Sequence, residues 1–208
     1  MPLVYQQNIN ACTKLGVWHI AEEESYFSER IRIQQNITHP HKRLQHMAGR
    51  LVLTELFPDF PVNQILIADT RKPFLPNNDF QFSISHCGDY AAAIVSQENK
   101  VGVDIEIPQI KIEKIRDKYL SDVELEMLSQ HAQPSLETLT MAWSVKETVF
   151  KWYTDGKVDF KEHIHIESVE MDDHQFLVTC SFRKVEIVPL KVQGIFFNGN
   201  CLSWLVTF

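Results

Sequence analysis

The sequence predicts an α+β fold of two similar halves, each a helix set against antiparallel strands. Three observations lead there. The strands arrive in hairpins: FQFSISHC, the Gly88-Asp89 turn and YAAAIV form one, and Asn198-Gly199 joins another near the C-terminus. One strongly periodic helix falls in each half, at about 41–57 and about 136–154. Hairpin delivery favours antiparallel sheets over a doubly wound parallel one. The similar element order hints at duplication, but no convincing sequence repeat accompanies it.

Each element has its own signal. In the first helix Leu44, Met47, Ala48, Leu51, Val52 and Leu56 recur at helical spacing. Thr38 is the expected cap and Pro40 suits the first turn, while Pro58 and Pro61 end the helix. A strand is expected at 64–68, followed by a turn through Arg71, Lys72 and Pro73. In FQFSISHC, Phe80, Phe82 and Ile84 point one way, and Gln81, Ser83 and Ser85 the other. Tyr90–Val95 is the return strand, and 101–107 a further hairpin partner. Ser121 and Glu124 form a capping box before a short helix at about 122–130. The second long helix buries Leu136, Leu139, Ala142, Trp143, Val149, Phe150 and Tyr153 and stops near Gly156, its expected C-cap. Strands follow at 163–170, 174–182, 184–189, 192–197 and 201–207.

Composition bounds the function. The 208 residues are 44% hydrophobic, enough for a sizeable core in one domain or two small ones, and 23% charged, as in ordinary globular proteins. No apolar run approaches the roughly 18 residues of a membrane span, and the N-terminus lacks a basic stretch followed by an apolar one. Cys12, Cys87, Cys180 and Cys201 show no CxxC spacing. A reducing, cytoplasmic setting is expected, with the thiols as fillers. The net charge of −7 argues against nucleic acid as a partner. Yet Arg30, Arg32, Lys42, Arg43 and Arg50, with His39, His41 and His46, fall in a stretch without Asp or Glu. Arg43, His46 and Arg50 follow one helical stripe. The stretch is either a local anion site or a solvated helix face.

Three segments carry chemistry. In VGVDIEI, Val101, Val103, Ile105 and Ile107 form an apolar face, and Gly102, Asp104 and Glu106 form the other. The carboxylates stand about 6–7 Å apart along the strand, and Gly102 is read as leaving room beside them. Two such acids repel unless water or a cation intervenes, and few oxygen ligands suit magnesium. An exposed acidic strand edge is the plain alternative. In MAWSVKETVFKWY, Glu147 and Lys151 stand four apart, an order that suits a helical ion pair. Equally, the carboxylate serves a metal or a proton and the ammonium a phosphate. Ser83, Ser85 and His86 end a strand before a tight turn. Ser85 and His86 bind phosphate or satisfy turn backbone, and no GxSxG elbow supports a Ser-His-Asp hydrolase.

The series KPFLP, FSISHCGDYAAAIVS, VGVDIE and WSVKETVFK, with HMAGRLVLTEL before it, resembles the 4′-phosphopantetheinyl transferases over about residues 40–155. It is similar to their larger monomeric class, typified by Sfp and the human enzyme, rather than to the small trimeric synthases. Nothing after about 160 can be matched. The resemblance implies two α/β halves related by a pseudo-two-fold, with coenzyme A and magnesium between them, and a junction placed near Lys100. It implies transfer of 4′-phosphopantetheine from coenzyme A to a serine of an acyl or peptidyl carrier protein, releasing 3′,5′-ADP. By position, Asp104, Glu106 and Glu147 become metal ligands, with manganese as well as magnesium admitted. Lys151 falls on the pyrophosphate lysine, Ser85 and His86 on the coenzyme A pair, and Lys72 on the lysine of a GKP motif. The glycine of that motif is Arg71 here, which leaves the turn conformation open. His41 or His46 falls near the 3′-phosphate contacts, with Lys42 and Arg43 adjacent. Glu147 is the candidate base for the carrier serine, directly or through water, and Lys151 stabilises or protonates the leaving 3′,5′-ADP. A monomer without nucleic-acid or membrane partners is expected. The competing readings are a non-catalytic coenzyme A or carrier-protein binding module and a magnesium-dependent coenzyme A pyrophosphohydrolase.

Overall fold

The computed structural model describes residues 3–33, 36–77, 79–129 and 133–207. The chain opens with β1 (Leu3–Asn8) and β2 (Thr13–His19), two strands the sequence reading missed. A one-turn helix α1 (Glu24–Ser28) precedes the long α2 (Pro40–Leu56). A 3-10 turn at Val62–Gln64 leads to the short β3 (Leu66–Ile67) and β4 (Pro73–Phe74). The strands β5 (Gln81–Cys87), β6 (Tyr90–Ser96) and β7 (Lys100–Glu106) follow. Then come α3 (Ile110–Lys114), α4 (Arg116–Tyr119), α5 (Asp122–Ser129) and the long α6 (Leu136–Trp152). The chain ends with α7 (Phe160–His163), β8 (Ile164–Asp172), β9 (Gln175–Arg183), β10 (Ile187–Phe197) and β11 (Asn200–Thr207).

These strands build a four-stranded sheet, ordered β1-β2-β6-β5, and a five-stranded sheet, ordered β7-β11-β10-β9-β8. Among the described residues the pairings within both are antiparallel. The expected α+β class with antiparallel sheets is thus present. One expectation needs correcting: β7 does not extend the β5–β6 hairpin. It pairs with β11 from the far end of the chain, Asp104 opposite Ser203. Edge strands β5 and β7 instead lie against each other, and Val103 donates its backbone N–H to Ser83 Oγ at 3.2 Å. The face of β5 read as polar is therefore an internal seam, with Ser83 and Ser85 both buried.

Three apolar clusters organise the packing. α2 covers the first sheet with Met47, Ala48, Leu51, Val52 and Leu56 against Trp18, Ala91, Ala93 and Val95. α6 covers the second with Leu139, Ala142, Val145 and Val149 against Val178, Cys180 and Val192. Leu15, Val17, Ala92 and Ile94 meet Val101, Val103, Ile105 and Leu202 where the sheets join.

The helix ends also differ in detail. His39, not Thr38, caps α2, its side chain accepting from the Lys42 N–H, with Pro40 in the first turn as expected. Ser135 caps α6. That helix ends at Tyr153, and Gly156 adopts its left-handed φ of 64° three residues later, outside the helix. The Ser121–Glu124 capping box is formed from both sides, at 2.8 and 3.3 Å. Residue 130, where its helix was expected to end, lies outside the described residues. The strands expected at 184–189 and 192–197 are one continuous strand, β10, registered along its length on β9.

Gly102 has a different role from the one expected. A Cβ there would collide with the Thr148 carbonyl oxygen and stand 3.0 Å from Trp152, so the glycine lets α6 approach β7. A Gly102→Ala substitution should destabilise the protein by about 1–3 kcal/mol through overpacking, read as a lowered melting temperature.

Candidate active site

The close approach at Gly102 decides what α6 presents to β7. Gly102, Asp104 and Glu106 share one strand face, and Thr148 and Trp152 of α6 pack on it at Gly102. Glu147 and Lys151 project from the same helix. Asp104 is 1% exposed. Its Oδ1 accepts from Ser85 Oγ at 2.8 Å and from the Lys151 ammonium at 2.5 Å. Lys151 also donates to Ser85 Oγ at 2.7 Å, which closes a triangle across β5, β7 and α6. Lys151 thus reaches Asp104 rather than forming the i, i+4 ion pair with Glu147, which is absent among the described residues. Glu106 is held by the Trp143 indole N–H at 3.3 Å and the Cys87 thiol at 3.3 Å.

Burial and crowding set the charges. Burial pushes Glu147 up to about 7, and Asp104 and Glu106 add to this against the pull of Lys151. Burial and Asp104 also raise Glu106. Burial pulls the Lys151 ammonium down, but Asp104 and Glu147 outweigh it and leave it above the ordinary lysine value. Burial and Glu106 drive the Cys87 thiol up to about 12, so it is a donor here rather than a nucleophile.

The donor chemistry here is of the kind a divalent cation takes. The three carboxylates offer hard oxygen ligands, and Asp104 Oδ2 is buried without a hydrogen-bond partner. Among the described residues no group of three or more His, Cys, Asp or Glu side chains is placed so as to hold a metal ion. Lys151, on Asp104, supplies the positive charge.

The other expected residues divide. Lys72 comes to the site, donating to the Lys151 carbonyl at 2.5 Å. Burial, reinforced by Lys100, pushes it down to about 8. Lys72 and Lys151 line a cavity of about 400 Å³ with Arg71, Phe82, Phe150 and Tyr153. His46 and His86 face each other, their ring centroids 5.3 Å apart. Burial, then His46 and Lys151, drive His86 down to about 4. Ser85 serves the Asp104–Lys151 triangle, while Gln45 satisfies the turn by donating to the Gly88 carbonyl. His41 is engaged elsewhere, 2.9 Å from Asp89, and Lys42 is exposed. Arg43 lies in a two-point contact with Glu24. Lys146 points away from the site, buried against Glu124 at 2.7 Å and donating to the Phe160 and Ile164 carbonyls. Trp143, Cys87 and Asp89 were not anticipated. Trp143 was read only as an apolar helix position, although its indole N–H is a donor that needs an acceptor.

Fold and site together define an α+β protein with a crowded carboxylate–lysine cluster where its two sheets meet. Residues 100–193, which hold β7 and α6, match the model of the 4′-phosphopantetheinyl transferase superfamily. Enterobactin synthase component D of Salmonella typhi is 32% identical over 117 residues, which cover 55% of this chain and 49% of that protein. The 4′-phosphopantetheinyl transferase AcpT of Escherichia coli O157:H7 is 32% identical over 114 residues, 53% of this chain and 57% of that protein. The chain spans about half the length of the curated relatives it matches. The resemblance carried by the motifs is borne out. The turn question at Arg71 is also answered: its φ is 66°, the left-handed conformation a glycine would adopt.

Two outcomes follow. Arg71→Gly should stabilise the protein by up to about 1 kcal/mol, since a side chain in that conformation costs about that much. His86 is held neutral in the fold, with a value of about 4 against 6.5 in the unfolded chain. Its contribution to stability is present above pH 6.5 and is lost as pH falls through about 4. Stability curves of wild type and His86→Gln should therefore converge over that window, and an NMR titration of His86 near 6.5 would contradict the assignment.

Proposed function

We propose that this protein transfers the 4′-phosphopantetheine arm of coenzyme A to a serine of an apo acyl or peptidyl carrier protein, as a holo-carrier-protein synthase of the larger, Sfp-like monomeric class. The observation that carries the reading is the Asp104–Lys151–Ser85 triangle with Glu106 and Glu147 beside it, inside the segment matched to the superfamily. The two helix-on-sheet halves, with a junction near Lys100, then stand as pseudo-two-fold partners about the coenzyme A cleft. The absence, among the described residues, of a helix long and apolar enough to cross a membrane is compatible with a cytoplasmic role.

Asp104, Glu106 and Glu147 would hold magnesium or manganese, which supplies charge neutralisation for a pyrophosphate. Lys151 and Lys72, on the wall of one cavity, place two ammonium groups where the pyrophosphate and the leaving 3′,5′-ADP need counter-charge. Ser85 fixes Lys151 in that position, and His86, facing His46, lines the coenzyme approach with Lys42 and His41 farther out. Glu147, at about 7, is poised to accept a proton near neutral pH. In the step, the carrier serine oxygen bonds to the β-phosphorus as its proton passes to Glu147. The bond from that phosphorus to the bridging oxygen breaks, and 3′,5′-ADP leaves with the electron pair beside Lys151.

The test is mass spectrometry of an apo carrier protein incubated with coenzyme A and magnesium. The expected product is the carrier plus one phosphopantetheine. Glu147→Gln and Lys151→Ala should each slow transfer on the order of 100-fold or more. Near-wild-type transfer by both variants would sink the assignment, and a chelator should stop the wild-type reaction.

A further inference from the structure

Among the cations of the basic stretch at residues 30–50, Arg50 alone is buried, and it has no carboxylate partner among the described residues. Arg43 is matched by Glu24, and His41 by Asp89. Arg50 is 8% exposed and belongs to α2. Its one hydrogen bond among the described residues runs from Nη1 to the His46 carbonyl, a turn earlier in the same helix, at 3.0 Å. It takes part in none of the ion pairs, although every Asp and Glu side chain of the chain is described. A guanidinium carries five N–H donors, and a buried one is almost never left without an anion. Burial, with no opposing carboxylate, pushes Arg50 below the ordinary arginine value. The side chain lines a cavity of about 320 Å³, whose wall includes Arg32, Asn63, Val62, Leu66 and Ile67. No wall residue is shared with the cavity of Lys72 and Lys151.

We propose that this cavity is a second anion site, in which Arg50 and Arg32 take the phosphate group of a small phosphorylated molecule. Two planar guanidinium forks lining one cavity match the several acceptor oxygens of a phosphate dianion better than the two of a carboxylate. Asn63 adds an amide donor at the rim. The volume exceeds that of a bare phosphate ion, and Val62, Leu66 and Ile67 give an organic body an apolar wall. The site lies between the segment at Arg32, the middle of α2 and the β3 approach, apart from Asp104, Glu106 and Glu147.

Calorimetric titration of the full chain with inorganic phosphate tests this. Saturable binding is expected, weakened at least about tenfold in both Arg50→Met and Arg32→Ala. Arg32 is exposed, so Arg32→Ala decides the matter if Arg50→Met fails to fold. Absence of saturable binding, or equal binding by wild type and Arg32→Ala, overturns the proposal. A second titration is run in saturating 3′,5′-ADP. Unchanged phosphate affinity supports a separate site, whereas displacement overturns it and assigns the arginines to the coenzyme seat. If 3′,5′-ADP does not bind at all, the transferase reading fails while the arginine variants still decide this site.

Discussion

The close packing of α6 on β7 is the constraint from which the rest follows. A side chain at position 102 would force the helix off the strand at Thr148 and Trp152. With the glycine in place, one helix turn carries Glu147 and Lys151 over a strand face that already holds Asp104 and Glu106. Three carboxylates are thereby gathered in a poorly solvated place, and their mutual repulsion raises the protonation of those with weakest support. The opposite face of α6 is anchored independently. Lys146 is fully buried on Glu124, whose other contacts are the Ser121 cap and the Ile166 N–H. Breaking such a pair costs about 3–5 kcal/mol because the remaining charge is stranded. Adjacent residues of one motif thus do opposite work: Lys146 ties the helix to Glu124 and the Ile164 carbonyl, and Glu147 faces the carboxylates of β7.

How much was legible follows from the range of each interaction. The two long helices, the capping box and the Asn198-Gly199 hairpin rest on local chemistry and were readable. So was the alternation that puts Asp104 and Glu106 on one face. β1 and β2 were missed for different reasons. LVYQQN alternates only weakly in polarity, and TKLGVWH is covered on both faces, which removes alternation altogether. The placement of β7 was misread because its partner, β11, lies about a hundred residues later, and nothing local in VGVDIEI announces that pairing. Strands were expected at 184–189 and 192–197, yet β10 runs unbroken from one into the other, with Pro189 opposite Ser181.

The basic stretch shows the same limit in electrostatics. A run of cations without nearby acids in sequence was open between an anion site and a solvated face. The fold resolves it residue by residue with partners 19 and 48 positions away, Glu24 for Arg43 and Asp89 for His41. A stripe of like charge is therefore not one object. In the stretch Arg30, His41 and Arg43 are matched by Glu29, Asp89 and Glu24, His46 is turned onto His86, and Arg50 is buried without a carboxylate.

Magnitudes explain why Lys151 chooses Asp104 over Glu147. The helical i, i+4 pairing suggested by the sequence is worth about 0.2–0.5 kcal/mol between exposed side chains. Asp104 is 1% exposed, and one of its oxygens already lacks a partner. Leaving the other without a cation would cost several kcal/mol of desolvation, an order of magnitude more than the helical pair returns. The ammonium therefore spans from α6 to β7, and Ser85 of β5 bonds to both members of the ion pair. One edge strand from each sheet and the helix that covers the second sheet meet at a single charge pair. Glu147, whose nearest sequence partner has been drawn away, is left as the carboxylate on which burial acts most freely. The acid–base character of the site is thus a consequence of where one lysine is most needed.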